Sequence, residues 1–114
     1  MSQPVALLLS LLLEVPLLLA IARYKRWCDL RQLLIVGLAA TLLTHPFAWT
    51  GALWIYSYLP FPWGWLVIEL AVTLAEAGLF RGFVGVSWQR ALILSGLANG
   101  FSATVGLVLF MAVL

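Results

Sequence analysis

From Val5 to Ala22 the chain runs eighteen residues with one charged side chain, Glu14. Three more long apolar stretches follow, at about residues 33–58, 63–80 and 91–114. The hydrocarbon core of a bilayer, roughly 30 Å thick, takes about 20 apolar residues to cross as a helix. Four stretches of this kind, the first and third a little short, define an all-α polytopic membrane protein with four transmembrane helices. Composition agrees, with 65% hydrophobic residues and 9% charged, against the roughly 25% charged of ordinary soluble domains. Mean hydropathy is +1.13. The 114 residues are expected to form a single transmembrane domain, 1–114. The second stretch contains Pro46, where a tilt or kink is expected.

The first stretch has the length of a signal peptide but not its flanks. No positive charge precedes the apolar run, and the basic cluster follows it, so a retained first helix is expected. Cys28 is the single cysteine, which excludes an internal disulfide and any multi-cysteine metal site.

All six basic residues fall between apolar stretches one and two (Arg23, Lys25, Arg26, Arg31) or three and four (Arg81, Arg90). In an up-down bundle those two loops share one side of the membrane. The positive-inside rule makes that side cytoplasmic and puts both termini outside, with the turn YSYLPFPWGW, as in a bacterial inner-membrane protein. Topology thus accounts for the net charge of +2, and nucleic acid is not an expected partner. Tyr56, Tyr58, Phe61, Trp63 and Trp65 crowd the outer turn, while Tyr24, Trp27 and Trp88 mark the inner loops. Amphipathic rings prefer the headgroup level, so an interfacial belt explains them better than a ligand-stacking platform. Pro60 and Pro62 stiffen the outer turn.

Against this apolar background Glu14, Glu69, Glu76, His45 and Asn99 stand inside predicted spans. An ionisable group at the bilayer centre costs at least roughly 2.5–3.5 kcal/mol on insertion scales, so each needs a partner, water or a proton. Counted at about 1.5 Å per residue from the inner ends, Glu14 and Asn99 share one level and His45 and Glu69 a deeper one; Glu76 lies nearer Arg81. Matching levels suggest that Asn99 partners Glu14. The spacing of seven puts Glu69 and Glu76 on one helix face, with Thr73 between them. Each residue also has a local explanation. Glu76 can reach towards Arg81 or snorkel to the headgroups. Glu14, near Pro16, can be a neutral acid donating to a freed carbonyl, and His45 can bond Thr44 or a neighbouring helix. One shared intramembrane site is the simpler account, with Thr44, Thr73, Ser95 and Ser102 in support.

The fourth span reads SGLANGFSATVG, with Gly96, Gly100 and Gly106 expected to pack closely against another helix. No nucleophile elbow and no HExxH is present, so enzymatic readings are weak. A metal held by His45, Glu69 and Glu14 is conceivable, as is a haem or chlorin on His45. Glu and His chains within membranes more usually handle protons and cations. The expected function is binding or transport of a proton or small cation, with or without a coupled substrate. The other reading is a structural or accessory subunit of a larger membrane complex, contacting a cofactor through His45. Four helices leave little room for an aqueous path, so a homo-oligomer or incorporation into a complex is expected.

Two resemblances bear on this. The stretch LLLEVP, a glutamate amid the first of four helices, resembles the small multidrug resistance transporters; that resemblance implies alternating proton and cationic-substrate binding at Glu14. It covers the first helix alone, and Glu69, Glu76 and His45 depart from that family's pattern. The segments THPFAW, ELAVTLAEAGLFR and SWQRALILSGLANGFSATVGL are similar to a set of small, uncharacterised bacterial membrane proteins. That set shows a Thr-Asn/His-Pro motif, paired glutamates and an Ala-Asn-x-x-Ser ending. This resemblance covers about residues 33–110 and implies a common polar site without an activity.

Overall fold

A computed structural model describes residues 3–60 and 63–113. They form α1 (Gln3–Lys25), α2 (Leu30–Ile55), α3 (Trp63–Leu79) and α4 (Trp88–Val113), with a π-helical turn, Phe80–Val84, continuing α3. No strand occurs among the described residues. Helices α1, α2 and α4 are long and apolar enough to cross a membrane. Helix α3 has 17 residues, about 25 Å of rise, and gains length only through the π turn. Each helix packs on two neighbours, in the cyclic order α1, α2, α3, α4. The long axis of the molecule, 40 Å, is close to the roughly 40–45 Å of a bilayer with its headgroups.

Local chemistry sets the helix ends. Arg26 adopts φ 56°, a left-handed conformation, and Trp27 N–H donates back to the Ala22 carbonyl at 3.3 Å. That wrap caps the end of α1. Asp29 then starts α2 three residues before the apolar stretch. Its carboxylate accepts the Arg31 N–H at 2.9 Å, satisfying one of the unpaired donors of the first turn. Asp29 is thus a helix cap. At the other end α2 stops at Ile55, short of residue 58, where the Ser57 hydroxyl donates to the Trp54 carbonyl at 2.5 Å. Pro16 and Pro46 both lie inside continuous helices. Phe61 and Pro62 of the outer turn, and Leu114 of the last stretch, lie outside the described residues.

The core is lopsided. Along α1 the buried side chains are Glu14, Val15, Leu18 and Ala22; along α2 they are Leu33, Ala40 and Thr41. In α3 and its π turn they are Glu76, Ala77 and Phe80, and in α4 Ala91, Leu94, Ser95, Ala98 and Asn99. Every one lies at the level of Glu14, Thr41, Glu76 and Asn99 or between that level and the basic loops. On the far side, the described residues bury no side chain; Gly64 alone is buried there.

Within the single chain, the glycines of α4 do not pack against another helix. A Cβ built on Gly96, Gly100 or Gly106 would meet nothing within 4 Å. The face that enters the bundle carries Ala91, Ser95, Ala98, Asn99 and Ser102, and the glycines fall beside it. Close approach occurs elsewhere, at Gly37 against Leu18 (3.2 Å) and Gly51 against Ile68 (3.1 Å). Gly100→Ala should therefore leave the single chain's helical content unchanged in dilute detergent. Its Tm should hold or rise slightly, because alanine in a helix interior is favoured over glycine by roughly 0.5–1 kcal/mol. A clear fall in Tm would show a contact at Gly100 that one chain does not contain.

Candidate functional site

One helical turn separates the polar residues from the core in each element, and this spacing builds the site. Glu14, Thr41, Glu76 and Asn99 come from four different helices and are 4%, 4%, 4% and 5% exposed. Residues four apart lie on one helix face. Towards the basic loops that face continues as Leu18 and Ala22 on α1, Gly37 and Leu33 on α2, Phe80 after α3, and Ser95 and Ala91 on α4. In the other direction it continues as Ser10, His45, Glu69 and Ser102, all partly exposed. The result is a polar cavity with an apolar cluster behind it.

That cavity has a volume of about 70 Å³, and Glu14, His45, Glu69, Glu76 and Asn99 all line it. The five residues singled out in the sequence thus surround one space. Thr44 and Ser102 join them, as do Ser10 and Thr41, which the sequence did not flag. Thr73 and Ser95 do not reach the wall. The Ser95 hydroxyl donates to the Thr73 carbonyl at 2.7 Å, which ties α4 to α3 just beneath.

Glu76 is the fixed member. The Asn99 amide donates to Glu76 Oε1 at 2.6 Å, and the Thr41 hydroxyl donates to Oε2 at 3.4 Å. The same amide nitrogen is held by the Ser95 carbonyl and hydroxyl, at 2.9 and 3.1 Å. Asn99 is therefore the partner of Glu76, where the depth count had paired it with Glu14. That count ended the third helix at Arg81, whereas helical backbone continues to Val84. The extra residues place Glu76 about 12 Å from its inner end, on a level with Asn99. Glu76 also does not reach for Arg81, which is exposed while Glu76 is buried.

His45 sits at the partly exposed side of the cavity, its ring stacked on Trp49 one turn on, with centroids 6.2 Å apart. Its Nδ1 is buried and has no hydrogen-bond partner. A buried nitrogen of this kind is normally satisfied by protein, water or an ion. Neither Thr44 nor a carbonyl supplies that bond, as the local explanation of His45 had required.

The chemical range follows from size and charge. On this measure a water needs roughly 10–15 Å³, so the cavity holds a few waters or a small ion with part of its shell. Drug-sized ligands occupy roughly 300–1,000 Å³, and a haem or chlorin macrocycle does not fit. Among the described residues no three His, Cys, Asp or Glu side chains come together so as to hold a metal ion. His45, Glu69 and Glu14 thus share a cavity without forming a chelate. No Lys or Arg is in the wall. Three carboxyl groups without a basic Lys or Arg beside them disfavour an anion and suit a proton or a small cation.

A second, apolar groove of about 280 Å³ lies between α2 and α3, lined by Phe47, Ile68, Ala71 and Ala75 among others. It shares Thr44, Ala48 and Val72 with the polar cavity. Alternating small and apolar residues in these helices gave no sequence signal for it beyond ordinary lipid-facing surface.

Comparison of the chain with protein-family models, with curated proteins and with solved structures gives no match in any of the three. The class defined by fold and site is an all-helical protein with helices suited to a membrane and a polar cavity among them. The two resemblances noted in the sequence rest on their motifs alone.

Proposed function

We propose that this chain is an up-down four-helix protein of a bacterial inner membrane, its basic loops cytoplasmic, and that its polar cavity binds or moves a proton or small cation. One observation carries the reading. Three carboxyl groups, an imidazole and an amide, drawn from four helices, face a cavity of about 70 Å³ whose wall has no Lys or Arg. Buried ionisable groups within membrane spans mark ion and proton pathways far more often than packing. The absence of a chelating cluster among the described residues favours the proton over a dehydrated metal ion. A proton asks only for carboxyls and water within hydrogen-bond reach.

The up-down arrangement is supported by the cyclic packing order of the helices and by the meeting of Glu14, Thr41, Glu76 and Asn99 at one level. Association with a second copy or another subunit is supported by the loose half of the bundle, where no described side chain is buried. The accessory-subunit reading draws on the same observation, since a partner's arginine could face these carboxylates. Co-purification of a defined partner in mild detergent would favour it.

The test is flux. Protein reconstituted into liposomes under an imposed pH gradient should dissipate that gradient faster than protein-free liposomes do. Equal rates with folded, inserted protein would remove the transport form of the reading.

A further inference from the structure

We propose that the polar cavity is loaded from the end remote from the basic loops, and that Phe80, mounted on the π-helical turn, is the seal that closes it towards them. The inference rests on the ion-binding reading of the cavity and adds a direction and a gate. On the basic-loop side the hydrogen-bonded set of Glu76, Asn99 and Thr41 forms the floor. Directly behind it lie Phe80, Leu33 and Leu94, the largest fully buried side chains among the described residues. They belong to one continuous apolar cluster with Leu18, Ala22 and Ala91. No water-sized path through such a cluster is expected, because close-packed interiors leave few voids of that size. On the remote side the wall continues through Ser10, His45, Glu69 and Ser102, all partly exposed.

The backbone under Phe80 is unlike the rest of the bundle. From Phe80 to Val84 it forms a π turn closed by Gly85 N–H to the Phe80 carbonyl at 3.1 Å. Gly85, at φ 84°, adopts a left-handed conformation that favours glycine. π-Helical backbone is rare and frequent at functional sites, and here it ends α3 at a left-handed glycine. Rewinding of this turn to α-helix would rotate Phe80 relative to α4 and open the path behind the cavity. Its outer face is open, a Cβ at Gly82 meeting nothing within 4 Å, while Phe80 and Val84 pack against the core. A side-chain hydrogen bond also ties it to α2, the Gln32 amide donating to the Phe83 carbonyl at 2.6 Å. A packed plug carried on an irregular turn, tied to α2 by a side-chain hydrogen bond, makes a gate.

Thiol labelling with a charged, membrane-impermeant thiosulfonate tests this in vesicles of known orientation. Unaltered protein sets the orientation through Cys28, which lies on the basic-loop side; burial and the neighbouring Asp29 charge push its thiol up, so labelling is run at alkaline pH. The reporter is Ser10→Cys in a Cys28→Ser background. It should label at least tenfold faster from the remote side. Phe80→Ala, and independently Gln32→Ala, should raise labelling from the basic-loop side by about tenfold or more. Where Phe80→Ala fails to fold, Gln32→Ala carries the test, since Gln32 is exposed and outside the core. Equal labelling from both sides in the parent, none from the remote side, or no change with Gln32→Ala would overturn the proposal. Labelling reports water access and not transport. Absent flux with one-sided labelling intact would therefore count against the ion-moving reading alone.

Discussion

Asn99→Leu should destabilise the protein by about 1–3 kcal/mol, the usual cost of leaving a buried polar group without its partner. The variant keeps the helix and roughly the volume but removes the amide that donates to Glu76 at 2.6 Å. Glu76, 4% exposed, would retain the long Thr41 contact at 3.4 Å and the Thr44 side chain. Hydrogen bonds between membrane helices average nearer 0.6 kcal/mol, because the separated helices also find partners. The larger value applies here because the stranded group is a carboxyl and not a hydroxyl. A double variant discriminates the cause. If the penalty comes from the unpaired carboxyl, Asn99→Leu with Glu76→Leu should cost less than the sum of the two single changes. Additive losses in Tm, measured in one detergent, would mean that Asn99 contributes packing alone.

Glu69→Gln should reduce pH-gradient-driven flux in liposomes to the protein-free level while leaving helical content and Tm nearly unchanged. Glutamine preserves size and hydrogen-bonding capacity but cannot exchange a proton. Glu69 lies on the partly exposed side of the cavity, where an incoming proton would first meet a carboxyl. Its removal takes nothing from the buried set that Asn99 and Thr41 hold. Glu76→Gln makes the comparison informative, because it alters the floor instead of the entrance and should affect stability as well as flux. Wild-type flux in Glu69→Gln would show that Glu69 is no part of the path.

Much of this architecture was legible because lipid-crossing helices must be long and apolar, a property visible residue by residue. Glu14, His45, Glu69, Glu76 and Asn99 were legible for the converse reason: each is costly in that setting, so its presence demands a shared explanation. Thr41 escaped notice because a hydroxyl can satisfy itself within its own helix and so carries no penalty to flag it. Its position four residues before His45 was the available clue. The pairing of Asn99 with Glu76 depended on where the third helix ends. Arg81 looked like a terminus, but the helical backbone runs past it into a π turn, which no charge pattern announces. That Gly96, Gly100 and Gly106 do not pack on another helix within the single chain has a related reason. Small-residue spacing identifies a face able to pack closely without saying whether that face turns towards the chain's own helices.

The central claim is that three carboxyl groups act as one site, and infrared difference spectroscopy of the carboxyl C=O band across a pH titration addresses it most directly. Groups that share a small cavity lose protons in steps belonging to the set, not to single residues. Removing any one of Glu14, Glu69 or Glu76 as the glutamine variant should therefore delete one contribution and shift the titration of the remaining two. Three bands that titrate independently, each lost with its own variant while the others stay where they were, would contradict a common site.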